Sequence, residues 1–324
     1  MPIIDKNLMS DNTFPRKVIY AHITEKPLDS RLVAARNDRT FNLNDHLRDF
    51  SDVKWATDNV GWTSSPLPTM IEVDSTEDEL VLHCGITEYK YLSGMVKLAK
   101  QEKKSNTHGT IHGLTTEVIP IFEDETVIIE QRQGADTQHG VGFYDFACAG
   151  QNAKMYVDKA NELVNGLVSS MFDMVGFPQY QITKAFPQLH PDSIGDMFYV
   201  AVSRGFEVSL DSQVCGFTHV PFESGDVRVN DASEHRLIYM VDELPELLDS
   251  IGRARPRGDI FARTPKPAPQ TGVFTIVDDS IGTILGILYH KDRSQYQSAL
   301  DALHDRGYTI NEVNGPSFNL DDLN

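Results

Sequence analysis

The chain has 324 residues, 40% of them hydrophobic and 23% charged, which places it among ordinary globular chains long enough for about two domains. Its formal net charge of -18 argues against a nucleic-acid backbone or an anionic membrane surface as the main partner, and leaves room for a small molecule held by a local basic pocket or a bound cation. Cys84, Cys148 and Cys215 are odd in number and far apart, so neither a disulfide framework nor a CxxC metal site is expected, and their mostly small or apolar neighbours predict buried reduced thiols.

The opening MPIIDKNLMSDNTFPRK has no apolar h-region, and no run approaches roughly 18 apolar residues, so the expected setting is cytoplasmic. KVIYAHI (17–23) reads as a strand, and 28–50 as mixed and partly helical. TMIEVDS (69–75) and ELVLHCG (79–85) alternate around a TED turn and predict a hairpin. EYKYLSGMVKLAKQEKK (88–104) predicts a helix with a lysine-rich end. Residues 1–110 thus form an N-terminal α+β region, closed by the turn-rich SNTHGTIHG (105–113).

LTTEVIPIFEDETVIIEQRQG (114–134) predicts two strands paired as a hairpin around the acidic turn Glu123, Asp124 and Glu125. GVGFYDFACAG (140–150) is a short strand or loop ending in small residues. Apolar residues at 160, 163, 164, 167, 168, 171 and 175 follow helical spacing and predict an amphipathic helix over about 155–175. Gly176 then suits the C′ position, with Pro178 blocking continuation. GDMFYVAVSR (195–204) reads as a strand, FEVSLD (206–211) as a possible second, and HRLIYMVDELPELLDSIG (235–252) as a strand running into a short helix. RARPRGDIFARTPKPAPQTG (253–272) is a proline-rich linker or surface strap. The rest, to 314, reads strand, strand, helix, strand: a small α+β extension or the completion of a sheet. Domain bounds of 1–110, 111–252 and 253–324 follow.

The order of pieces in 111–252 resembles the Nudix superfamily. The lines that carry the resemblance are VIIEQRQG (127–134), YDFACAG (144–150), MFDMVGF (171–177), GDMFYVAV (195–202) and RLIYMVDELPELL (236–248). The resemblance implies an α+β fold, an α/β/α sandwich with a mixed sheet flanked by helices. It implies binding of a nucleoside-diphosphate derivative and hydrolysis with Mg²⁺. The family's Gln-Arg pair falls on Gln131 and Arg132, and its glycine pair on Ala149 and Gly150. With the last signature glycine at Gly176, the arginine falls on Ser169, the first helix glutamate on Ser170, and the glutamate pair on Asp173 and Met174. The upstream glutamate falls on Asn161, beside Glu162. The box is therefore degenerate. Carboxylates three or four residues apart on a helix converge on one ion, whereas Glu162 lies roughly 16 Å along a helix from Asp173 at about 1.5 Å per residue.

Candidate residues follow. Asp173 could be a residual metal ligand and catalytic carboxylate, with Glu162, Asp158 or Glu234 supplying a second. Arg132, His139, Gly150 and Ser170 could line a ligand pocket. His108 and His112 have HxxxH spacing in a sequence with little helical signal. Asp278-Asp279 and Asp321-Asp322 read as turn and tail. Three functions compete: a Nudix-like binder of a nucleotide derivative with its hydrolytic site largely lost; a divergent Mg²⁺-dependent hydrolase; and an assembly protein that docks a protein partner or a second copy of itself. No nucleic acid or membrane is expected among the partners.

Overall fold

The computed structural model describes residues 18–40, 43–59, 64, 66–102, 111, 113–131, 143–146, 148–151, 174–204, 211–227, 236–252 and 274–313. The elements there, in chain order, are β1 (Val18–Asp29), β2 (Val33–Asn37), α1 (Asp45–Asp58), β3 (Pro66–Ser75), β4 (Leu80–Glu88), α2 (Tyr89–Glu102), β5 (Gly113–Ile121), β6 (Thr126–Gln131), β7 (Tyr144–Phe146) and β8 (Ala149–Gln151). After them come α3 (Gly176–Ala185), β9 (Met197–Arg204), β10 (Asp211–His219), β11 (Arg236–Met240), α4 (Leu244–Asp249), α5 (Asp278–Lys291), α6 (Arg293–Asp305) and β12 (Thr309–Asn311).

The fold is α+β, with a large mixed sheet flanked by helices. Its strands run β12-β1-β9-β10-β5-β3-β4-β2, with β8 also on β5, and a second sheet runs β11-β6-β7. The large sheet draws on all three sequence regions: β1 from the first region pairs β9 antiparallel and β12 of the last region in parallel. The two faces of the sheet bury different cores. One gathers Leu114, Val118, Met197, Tyr199, Val202 and Val214 with Ile182 of α3 and Phe186 just after it. The other gathers Ile119, Ile121 and Val200 with α5 and the second sheet. Leu47, Leu67, Leu92 and Met95 form a smaller cluster with α1 and α2.

The β3–β4 hairpin forms as expected, with Ser75 opposite Leu80 and the Thr76 N–H on the Glu79 carbonyl at 2.8 Å. The hairpin expected at 114–134 does not. The acidic turn is tight and exposed, with Glu125 at φ 56° and the Phe122 N–H on the Thr126 carbonyl at 3.0 Å. Yet β5 and β6 enter different sheets. The reason is occupancy: all nine residues of β5 are buried, and β10 on one side with β8 and β3 on the other fill its edges. The turn is a corner between sheets, and Asp124 fixes it by accepting from the hydroxyls of Thr126 and Ser224, each at 2.6 Å.

Gly176 opens α3; it does not stand as the C′ residue of a helix before it. Pro178 falls in the first turn, where a missing N–H costs nothing. The strands read in 272–288 are corrected too. Among the described residues of that stretch, Ile276 makes an isolated bridge to Tyr144, and Asp278–Lys291 is the helix α5. Ile281, Ile284, Leu285 and Leu288 are wholly buried. A helix buried on most sides is apolar nearly all round, and periodicity does not separate it from a strand. Gly282 lets α5 approach the sheet, since a Cβ there would stand 2.3 Å from the Ser203 Cβ. The helix read over 155–175 and the strap 253–272 lie outside the described residues, apart from Met174 and Val175.

Candidate functional site

The segment with signature-like spacing is anchored at both ends. Upstream, β8 pairs with β5, placing Gly150 opposite Thr116 and Ala149 opposite Glu117. Downstream, Met174 is buried in the α3-side core, and its carbonyl accepts the Tyr199 hydroxyl at 2.6 Å. Of the candidate ligand residues, Gly150 is therefore placed in β8, paired against β5. Asp173, Glu162, Ser170, Arg132 and His139 lie outside the described residues, as do Asp158, Glu234, His108 and His112.

Beside this anchor, on the other face of β5, is a polar network that the sequence reading missed. Glu117 is fully buried, with Asp145 7% and Asp279 4% exposed. Asp278 and Asp279 thus begin α5 and do not form a turn, and Asp279 is buried; the helix lies over β9, β1 and β10 and reaches Glu117 of β5 through Ser280 and Thr283. Glu117 Oε2 accepts the Gln213 amide at 2.8 Å and the Thr283 hydroxyl. Ser280 Oγ lies 3.0 Å from Glu117 Oε1 and 2.6 Å from Asp145 Oδ1. Asp145 Oδ1 also accepts the Phe146 N–H at 2.8 Å.

Counting hydrogens assigns the protonation. A serine hydroxyl has one hydrogen to donate. It lies between two carboxyl oxygens, so if both were ionised one contact would set lone pair against lone pair. The shorter contact takes the hydrogen, to Asp145, and Glu117 then donates its own proton to Ser280. Burial first, then the charges of Asp145 and Asp279, push the Glu117 carboxyl well above its ordinary range, in agreement with this count. Cys215, opposite Glu117 in register, and Cys148 are likewise pushed up, chiefly by burial. All three thiols are free and buried, as their neighbours suggested.

These carboxylates do not fit a Mg²⁺ site. The oxygens of Glu117 are engaged by hydroxyls and an amide, and among the described residues no group of three or more His, Cys, Asp or Glu is disposed to hold a metal ion. The network joins helix to sheet, and each partner sits where strand alternation and helical spacing put it. The sequence did carry a signal: Glu117 interrupts the β-branched run GLTTEVIPI, and Asp279, Ser280 and Thr283 share the start of an otherwise apolar helix.

Among the described residues, no helix is long and apolar enough to cross a membrane. Compared with known proteins, the chain matches no protein-family model, and no curated protein matches it at a significant level.

Proposed function

We propose that residues 111–252 form a Nudix-like domain that binds a nucleoside-diphosphate derivative, with the standard hydrolytic site of that family largely lost. One observation carries the reading: both ends of the segment with signature-like spacing are fixed to one sheet, at Gly150 opposite Thr116 and at the Met174 carbonyl under Tyr199. The order of elements around it, corner, short strands, then β9, β10, β11 and α4, supports the same reading. The loss of catalysis rests on the sequence, where Ser169, Ser170 and Met174 replace the family's arginine and glutamates. Reduced buried cysteines suit a cytoplasmic setting.

The test is isothermal titration of ADP-ribose into the full chain, with and without Mg²⁺, followed by a turnover assay. Binding without turnover is expected, and Asp173→Asn should leave the affinity unchanged. Turnover that Asp173→Asn abolishes would establish a divergent Mg²⁺-dependent hydrolase in its place. No binding of ADP-ribose under either condition would remove the ligand reading.

A further inference from the structure

The proton shared by Glu117 and Ser280 stands where three pieces of the fold meet. Glu117 and Gln213 belong to the large sheet, Ser280 and Thr283 to the first turns of α5, and Asp145, bonded to Ser280, to β7 of the second sheet. Two backbone ties make β7 and the approach to α5 one unit. The Tyr144 N–H donates to the Thr275 carbonyl and the Val277 N–H to the Tyr144 carbonyl, each at 2.8 Å. Glu117 also stands opposite Ala149, the first residue of β8, which leads on to Gly150.

The groups facing Glu117 make that proton decisive. Asp145 on β7 and Asp279 on α5 are the charged ones, and both are acids. From β10 come the Gln213 amide and the Cys215 thiol, and Cys148 precedes β8; burial keeps both thiols neutral. With the proton in place, the chain from Glu117 through Ser280 to Asp145 has one hydrogen for each contact. Without it, Ser280 serves one carboxylate, and Glu117 becomes a charge in a dry site beside two other acids. The helix can yield only at its start. Ile284, Leu285 and Leu288 are wholly buried and hold the later turns, whereas Asp279, Ser280 and Thr283 are the buried polar residues of the first ones.

We propose that Glu117 is a proton switch: protonated, it seats the first turns of α5 and holds β7 and the start of β8 with them; ionised, it releases these three together. The switch needs no ligand and is independent of the nucleotide reading.

The test is amide hydrogen exchange on the full chain from pH 5 to 9, read by residue and corrected for the intrinsic rate. The folded Glu117 is raised above the ordinary glutamate range, so the seated form holds a proton that the released form gives up. Seating is therefore full below that range and weakens as pH rises. Protection at residues 278–283, 144–146 and 149–151 should fall together, by about tenfold per pH unit, until the folded value is reached. Residues 285–291 should exchange more slowly throughout. Glu117→Gln cannot ionise and keeps a donor and an acceptor, so the fall should vanish. Asp145→Asn removes one facing charge and keeps the acceptor for Ser280, so the fall should end at lower pH. The carbon-13 signal of the Glu117 carboxyl in the parent reads the proton directly, whether or not the variants fold, and should titrate above the ordinary range. The switch is overturned if parent protection at these residues does not change with pH, if the fall persists in Glu117→Gln, or if the carboxyl signal titrates in the ordinary range. It is also overturned if residues 278–283 lose protection while 144–146 and 149–151 do not, which would leave Glu117 as a tie to α5 alone.

Discussion

Glu117 and Arg204 are charged residue types set in one sheet, Glu117 fully buried and Arg204 part-exposed, and the protein treats them in opposite ways. Glu117 sits among Gln213, Thr283 and Ser280 on the α5 side and keeps its proton. Arg204 sits beside Ser212, Tyr20 and Met70 and keeps its charge. The difference lies in the functional groups. A carboxyl escapes the cost of burial by holding a proton that neutral pH would ordinarily remove. A guanidinium cannot escape by losing one, and its compensation must come from an anion or from the water it still meets. A buried acid of this kind can be purely architectural, and a part-exposed cation can complete its hydrogen bonds with water.

The largest expected effect breaks the Glu117 side. Glu117→Ala leaves the Gln213 amide and the Thr283 hydroxyl without their acceptor and Ser280 without the proton that Glu117 donates, and should cost about 3 kcal/mol or more in urea denaturation at pH 6. A loss below about 1 kcal/mol would mean that the network contributes little to joining α5 to β5.

Gly282→Ala comes next. It opens the same seam without touching any charge, because its Cβ would meet the Ser203 Cβ at 2.3 Å. Overpacking of this kind costs about 1–3 kcal/mol. A neutral result by thermal melting would show that the helix and sheet can slide apart freely.

The pH profile sharpens the comparison most finely. The folded pKa of Glu117 is raised above its unfolded value. The unfolded chain releases the proton in the ordinary glutamate range, while the native state holds it. Its stabilising contribution is therefore full below that range and is lost as pH rises toward the folded pKa. The slope is about 1.4 kcal/mol per pH unit from this group. Glu117→Gln replaces the O–H donor by an N–H donor and keeps the acceptor, so it should fold and remove that slope. Denaturation midpoints collected from pH 5 to 8 that fall equally in parent and variant would place the proton elsewhere.

Particular elements show where sequence reading succeeded. The hairpin of β3 and β4, the helix α2, the strand β9 and the β11–α4 passage follow from local periodicity and turn residues, and all appear close to their expected bounds. Strand β10 was largely missed. QVCGFTH alternates weakly, because a central strand buried on both faces has no polar side to mark. Of the candidate ligand residues only Gly150 lies among the described residues, in β8 opposite Thr116 of β5. Arg204 and Glu117 passed unremarked, since a charged residue in a strand looks the same in sequence whether its neighbours are water, hydroxyls or carboxylates.

The sequence by itself determined the α+β class, the reduced thiols, the tight acidic turn and most strand positions, because these depend on residues within about one turn or one strand of each other. Only the tertiary structure decided that β5 and β6 part into two sheets, that 278–291 is a buried helix, and that β1 and β12 close the large sheet. It alone brought Ser280 to Glu117 across 163 residues and left Arg204 facing Met70 across 134. The cost of burying a charge depends on what packs around it, and that is set by contacts between segments distant in sequence.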